Sequence, residues 1–146
     1  MNKTFDIDKI NHFNSKTMVA HIGIEVLEAT KEYVYGRMPV DKRTIQPFGL
    51  LHGGASVAFA ESLGSFAGGL HINWEKEAVV GVEINANHLK SVRSGWVYGK
   101  ATPKKIGKKI HVWNIDIKND NEDLICVSRL TLAVINQKKI LESKIK

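Results

Sequence analysis

Glu61 is the single ionisable residue in a stretch of small and apolar residues that runs from Gly53 to Leu70. A helix that is apolar on all its faces belongs in a protein core, so the pattern predicts that the Glu61 carboxylate is buried. A buried carboxylate needs a partner or a chemical role, because its charged form is poorly solvated. His52, Gly53 and Gly54 open the segment, and N–H groups at a helix start favour a developing negative charge. Together these features indicate acyl chemistry.

The spacing of these groups predicts a dimer. Eight residues separate Gly53 from Glu61, which is about 12 Å of rise along a helix. Both groups must come within hydrogen-bond distance of one carbonyl, and a single rigid helix hardly allows this. In a two-fold dimer, Gly53 of one subunit polarises the carbonyl and Glu61 of the other attacks it or activates water. The alternative is a core glutamate that accepts hydrogen bonds, for instance from Ser65. Gln46 and His52 belong to the same loop–helix unit, which favours the catalytic interpretation.

The composition predicts a single domain over residues 1–146. A hydrophobic content of 43% and a charged content of 25% are typical of a globular protein. No segment resembles a secretory signal or a membrane span. Cys126 is the single cysteine and is expected to be a small core residue, so a cytoplasmic location is expected. No pair of histidines has the spacing of metal ligands, so no metal site is expected.

Two groups of lysines contribute to the net charge of +6. One lies between Lys104 and Lys109, and the other lies in a basic tail over residues 137–146. Such patches suit anionic partners, and a solvated surface is the simpler interpretation for the tail. Nucleic acid is not an expected partner, because no recognition motif or aromatic–basic ribbon accompanies the charge.

The periodicity predicts an α+β fold in which one central helix is inserted into an antiparallel meander and wrapped by its sheet. A short amphipathic helix is expected at about residues 8–18, and the central helix ends at Gly68-Gly69. Strand patterns cover residues 22–27, 33–40, 78–84, 96–101, 110–118 and 124–135.

Two longer stretches make the chain resemble the hotdog-fold acyl-CoA thioesterases. The first runs from Gln46 to Ser56 (QPFGLLHGGAS) and continues at residues 60–62, and the second (GVEINANH) covers residues 81–88. The resemblance extends over roughly residues 17–136. It is strongest to the branch of 1,4-dihydroxy-2-naphthoyl-CoA thioesterases and their phenylacetate-pathway relatives. It implies a long helix wrapped by an antiparallel sheet, with dimers that often pair into tetramers.

The same resemblance implies roles for individual residues. The Gly53 N–H holds the thioester carbonyl, Gln46 and His52 position the acyl group or the leaving thiolate, and Glu61 is nucleophile or general base. Ser65 and His88 are implied to lie nearby. The implied contacts with coenzyme A, whose phosphates lysines attract, are Gly81, His88, Leu89, Lys90, Ser91, Lys105, Ile106, Gly107, Lys108, Lys109 and Ile110. No cofactor is implied, because CoA is part of the substrate.

Hydrolysis of an aromatic acyl-CoA is therefore the expected activity, with 1,4-dihydroxy-2-naphthoyl-CoA of menaquinone biosynthesis as the implied substrate. Another aromatic or medium-chain acyl-CoA is the first alternative. Hydratases and dehydratases share the fold, and His52 with Glu61 could nominally supply their acid and base. A non-catalytic module that binds CoA through the basic loop is a third possibility. Thiol release separates the hydrolase from the other two.

Overall fold

The computed structural model describes residues 5–142, apart from the side chains of Lys139 and Leu141. Residues 1–4 of the predicted domain and residues 143–146 of the predicted basic tail lie outside the described residues. The elements are α1 (Ile7–Phe13), α2 (Met18–His21), β1 (Glu25–Ala29), β2 (Val34–Pro39), α3 (Gly53–Gly69), β3 (Glu77–His88), β4 (Trp96–Ile106), β5 (Ile110–Asn119), β6 (Leu124–Asn136) and α4 (Gln137–Glu142).

The N-terminal helix predicted at about residues 8–18 is in fact two short helices, α1 and α2. Asn14 ends α1, and its side-chain amide donates to the Ile10 carbonyl over 2.8 Å. Thr17 then begins α2, where its hydroxyl accepts a hydrogen bond from Val19 N–H. The prediction of one helix was wrong because the short polar side chains of Asn14 and Thr17 bond to the local backbone and favour helix ends over helix interiors.

The central helix α3 packs one face against the sheet. Its backbone lies very close to β6, since a Cβ added at Gly64 would be 2.5 Å from Leu130 Cδ2. The opposite face, which carries Glu61 and Ser65, is only half-buried. The prediction that this helix is buried on all its faces was therefore wrong, because only the face that packs on the sheet is buried in the described chain. The buried residues of α3 are Ser56, Phe59, Ala60, Leu63, Gly64, Ala67, Gly68 and Gly69.

All strands belong to one antiparallel sheet with the order β1-β2-β4-β5-β6-β3. The predicted meander was wrong on this point, because β3 follows β2 in the chain but pairs with β6 at the far edge. α3 causes the difference, since it lies across the sheet between β2 and β3 and carries the chain to the other side. β3 is 12 residues long, and no strand among residues 5–142 pairs with its outer side.

Three strands differ from their predicted bounds by more than one residue at an end. β1 starts late because Ile22 caps α2 and Gly23 has a φ of 79°, a left-handed conformation that suits glycine. β4 continues to Ile106 through a bulge between Pro103 and Lys105, where a proline is tolerated. β3 extends to residue 88 because its pairing with β6 continues that far.

β5 and β6 contribute several fully buried side chains to the core. Trp113, Ile115 and Ile117 alternate along β5 and are fully buried, as the period of two requires. Cys126 on β6 is also buried, and burial raises the pKa of its thiol. The prediction that Cys126 is a small core residue is confirmed.

His111 introduces a polar group into this core. Its Nδ1 atom and the Trp113 Nε1 atom are buried, with no hydrogen-bond partner among the described residues. Both atoms face the backbone of α3, because a Cβ added at Gly68 would lie 3.4 Å from the first and 3.6 Å from the second. Burial, and then the neighbouring charge of His71, lower the pKa of His111. Burial also lowers the pKa of His71.

These two histidines predict a loss of stability in mild acid. Their folded-state pKa values lie below the unfolded value of about 6.5, so the unfolded chain binds protons first as the pH falls. Their contribution to the free energy of unfolding is complete above about pH 6.5 and is lost as the pH falls towards the folded-state pKa values. We expect His111→Gln to flatten the dependence of the unfolding free energy on pH between about pH 8 and 5.5. Urea denaturation at several pH values measures this, and an unchanged slope would contradict the assignment.

Candidate active site

The loop before α3 is closed on itself and is also bonded to the segment that follows β3. The His52 N–H donates to the Thr44 carbonyl and the Leu51 N–H donates to the Val92 carbonyl, each over 2.8 Å. Ile45 and Leu51 also form an isolated antiparallel bridge. These bonds set the position of the first turn of α3 relative to the sheet.

His52 caps α3, and its side chain uses one of the open N–H groups. The His52 Nδ1 atom accepts a hydrogen bond from Gly54 N–H over 2.8 Å, while the His52 carbonyl accepts from the N–H groups of Ala55 and Ser56. The Gly53 N–H has no acceptor among residues 5–142. It is therefore the free donor at the positive end of the helix dipole, as an oxyanion site requires.

Gly53 also has a steric reason to be glycine. A Cβ at this position would lie 2.8 Å from His88 Nε2, so the imidazole of His88 sits directly against the Gly53 backbone. β3 ends at His88, which explains how a strand residue reaches the start of α3. His88, which the resemblance implied to lie near Glu61, therefore lies beside Gly53 within one chain.

A cavity of about 330 Å³ opens beside this free donor. The sequence-predicted residues that line it are Gln46, Gly53, His88, Leu89, Lys90 and Ser91. Residues that line it without having been predicted are Leu50, Leu51, Ser56, Val92 and Ile125. The sequence signal for two of them is the apolar pair Leu50-Leu51 in a polar loop, which indicates a contact with other apolar groups.

Gln46 is held in a defined orientation at this cavity. Its side-chain oxygen accepts a hydrogen bond from Phe48 N–H, and its backbone N–H donates to the Leu50 carbonyl over 2.8 Å. Because the oxygen is used inside the loop, the side-chain NH₂ is the part left to donate to a bound group.

Lys90 lies at the rim and is already paired. Its ammonium lies 2.6 Å from a carboxylate oxygen of Asp123, and about half of the lysine side chain is exposed. The hydrogen bond from Lys90 holds the pKa of Asp123 below its usual value. A pairing at the surface contributes little energy, so Lys90 can exchange this partner for an incoming anion.

Glu61 lies in a second group of residues, further along α3. A Cβ added at Gly81 would be 2.3 Å from the Glu61 Oε1 atom, so the carboxylate rests on the glycine backbone of β3. Glu61 is half-buried and makes no hydrogen bond or ion pair in the described part of the chain. The hydrogen bond from Ser65 considered for a purely structural Glu61 is not formed. Ser65, one turn on, lines a different cavity.

The basic turn joins neither cavity within the chain. Lys105, Lys108 and Lys109 are exposed, and the turn closes through a hydrogen bond from Gly107 N–H to the Ile110 carbonyl. It stands at the same end of the sheet as Gly81, because His111 pairs with Leu132 and Leu132 pairs with Gly81. The exposed turn also includes Ile106 and Ile110.

Apart from the basic turn, the predicted site residues therefore fall into two groups, one at the His88 end of β3 and one around Gly81. The donor group has the free Gly53 N–H with Gln46, His52 and residues 88–91, and the acid group has Glu61, Gly81 and Ser65. Among residues 5–142, no three His, Cys, Asp or Glu side chains gather as a metal ion would need. No helix in the same range is both long enough and apolar enough to cross a bilayer.

Known proteins match this chain over most of its length. The sequence profile of the thioesterase superfamily matches residues 48–126. The crystal structure of a thioesterase from Haemophilus influenzae is 52% identical, with a TM-score of 0.87 over 92% of this chain and 94% of that one. The 1,4-dihydroxy-2-naphthoyl-CoA hydrolase of Escherichia coli is 53% identical over 79% of each chain. The proofreading thioesterase EntH of Klebsiella pneumoniae is 44% identical over 86% of this chain and 91% of its own.

These matches confirm the predicted family and the fold of a sheet wrapped around one helix. They also favour thioester hydrolysis over the hydratase and binding-module alternatives, because the relatives are named as thioesterases and a CoA hydrolase. With its free helix-start donor and its half-buried glutamate, this chain is a hotdog-fold thioester hydrolase that belongs to the thioesterase superfamily.

Proposed function

We propose that the protein hydrolyses an aromatic acyl-CoA, with 1,4-dihydroxy-2-naphthoyl-CoA as the preferred substrate, in active sites shared between two subunits. The observation that carries this proposal is the free Gly53 N–H at the start of α3, with the Glu61 carboxylate eight residues on along the same helix. The identity to the E. coli hydrolase supports the substrate. Another aromatic or medium-chain acyl-CoA is the alternative, because the similar EntH is named as a proofreading thioesterase and not as a hydrolase of that substrate.

The shared site follows from the open edge of the sheet. β3 exposes its outer side, and a long unpaired edge strand readily pairs with another strand. A two-fold axis beside β3 pairs it antiparallel with its copy and brings the His88 end of one subunit towards the Gly81 end of the other. The donor group of one subunit then faces the acid group of its partner. This arrangement overcomes the separation of about 12 Å along one helix.

In such a site the thioester carbonyl accepts a hydrogen bond from Gly53 N–H, and the helix dipole stabilises the oxyanion that forms. Glu61 of the partner subunit either takes a proton from water, whose oxygen attacks the carbonyl carbon, or attacks that carbon itself. The carbon–sulfur bond then breaks. The thiolate of CoA leaves and takes up a proton, and the acyl group is released as a carboxylate, directly or after hydrolysis of an anhydride.

The remaining polar groups position the substrate. The free NH₂ of Gln46 is placed to hold the acyl carbonyl or the leaving sulfur. Lys105, Lys108 and Lys109 of the turn near Gly81 supply unpaired positive charge for the CoA phosphates. We propose the cytoplasm as the location, because CoA thioesters are made and used there. We also propose that two dimers pair into a tetramer.

We expect Glu61→Gln to lower kcat for thiol release at least about 100-fold, because it removes the base or nucleophile and keeps the side-chain volume. The assay is CoA release from a panel of aromatic and aliphatic acyl-CoAs. Glu32→Gln, on an exposed residue away from both cavities, is the matched control and should leave kcat unchanged. A Glu61→Gln variant with full activity would remove Glu61 from the mechanism.

A pair of substitutions at Gly53 isolates its N–H group. Proline has no N–H but suits the first position of a helix, and the φ of −69° and ψ of 131° at His52 are compatible with a following proline. Gly53→Ala keeps the N–H and adds a Cβ against His88. We expect Gly53→Pro to reduce kcat a further 100-fold or so below Gly53→Ala. Equal activity of the two variants in the same assay would exclude the N–H as the oxyanion donor.

A further inference from the structure

An apolar cavity of about 570 Å³ lies between α1, the second half of α3 and the start of β3. Its volume falls within the range of small-molecule sites, and none of the predicted catalytic residues lines it. The apolar side chains that form its walls are Ile10, Phe13, Phe66, Leu70, Trp74 and Val79.

Trp74 forms one wall of this cavity. Its indole ring lies against Gly69, where an added Cβ would be 2.6 Å from Trp74 Cζ2. The turn that carries it is fixed, because Asn73 N–H donates to a Glu77 carboxylate oxygen over 2.9 Å and Glu77 N–H donates to the Asn73 carbonyl over 2.7 Å. The ring is therefore held in place by its surroundings.

Trp74 is nevertheless 55% exposed, and Phe13, which lines the same cavity, is 79% exposed. Large aromatic side chains that stay exposed at an open apolar cavity cost free energy unless something covers them. An apolar planar group bound in the cavity would cover part of these rings, and stacked aromatic pairs are favourable beyond the area that they bury.

The cavity begins about one helical turn from Glu61. Ser65 lines the cavity and lies one helical turn after Glu61, a rise of about 6 Å. Val79 lines it as well, two strand residues before Gly81, which is a distance of about 7 Å. With carbon–carbon bonds of about 1.5 Å, roughly five bonds span this distance. An acetyl group held at Glu61 ends before the cavity, whereas a bicyclic aromatic acyl group reaches into it.

We infer that this cavity is the acyl subsite of the thioesterase and that Trp74, with Phe13, determines its specificity for large aromatic acyl groups. The inference presupposes the activity proposed above and goes beyond it by naming the residues that recognise the acyl part. Trp74 touches neither the thioester nor the catalytic groups in this arrangement. It therefore affects which acyl groups are bound and not the chemical step.

The test compares kcat and KM for 1-naphthoyl-CoA, hexanoyl-CoA and acetyl-CoA in the parent protein and in Trp74→Ala, Trp74→Phe and Phe13→Ala. We expect Trp74→Ala to lower kcat/KM for 1-naphthoyl-CoA about tenfold, mainly through KM, because a stacked pair contributes about that factor. Acetyl-CoA should be hydrolysed as in the parent, and Trp74→Phe should restore most of the loss. Phe13→Ala should act in the same direction, and its exposed side chain makes it safe for the fold.

Leu124→Ala is the control, since Leu124 is an exposed apolar residue at the start of β6 and lines none of these cavities. A parent protein that releases no CoA from any of the three substrates would overturn the proposed function itself. If the parent is active, an equal loss for all three substrates in Trp74→Ala would show a structural role for the tryptophan. Unchanged naphthoyl kinetics in both Trp74→Ala and Phe13→Ala would overturn the acyl subsite.

Discussion

A rigid helix keeps the amide of Gly53 and the carboxylate of Glu61 about 12 Å apart along its axis, and the rest of the structure is arranged around that separation. The first group needs a helix start, where the dipole and the open N–H groups are found. The second needs a position that is partly shielded from water yet open on one side. α3 meets both requirements because one face packs on the sheet while the face with Glu61 remains half-buried.

Close backbone contacts make this arrangement specific. Gly53 leaves room for the imidazole of His88, Gly81 leaves room for the Glu61 carboxylate, and Gly64 lets α3 approach β6. In each case the glycine removes a Cβ that would collide with a named atom. Gly69 likewise leaves room for the indole ring of Trp74. The positions of the catalytic groups and of the proposed acyl subsite therefore depend on these glycines as well as on the side chains that contact them.

Much of this could be predicted from the sequence. The unusual composition around Glu61 predicted the central helix, and period-two patterns such as 111–117 predicted strands with a buried face. The strand order could not be read from local patterns, because the move of β3 to the edge depends on where α3 crosses the sheet. The break at Asn14 was missed because capping by short polar side chains competed with a weak helical periodicity.

The candidate site was predictable by residue but not by grouping. Gln46, Gly53 and His88 were each identified, yet only the structure shows that they line one cavity while Glu61 and Gly81 meet elsewhere. The pairing of Lys90 with Asp123 has no local sequence signal, since 33 residues separate the two. Trp74 lies in a segment without a recognisable pattern, and its role depends on a contact with Gly69 and a cavity that several elements share.

Mixing two inactive variants tests the shared site most directly. Subunits with Glu61→Gln and subunits with Gly53→Pro are combined by co-refolding, and CoA release is compared with that of each variant alone. If every site takes Gly53 from one subunit and Glu61 from its partner, half of the sites in a mixed dimer are intact. Random pairing should then restore about a quarter of the parent activity. A mixture that remains as inactive as its components would contradict sites shared between subunits.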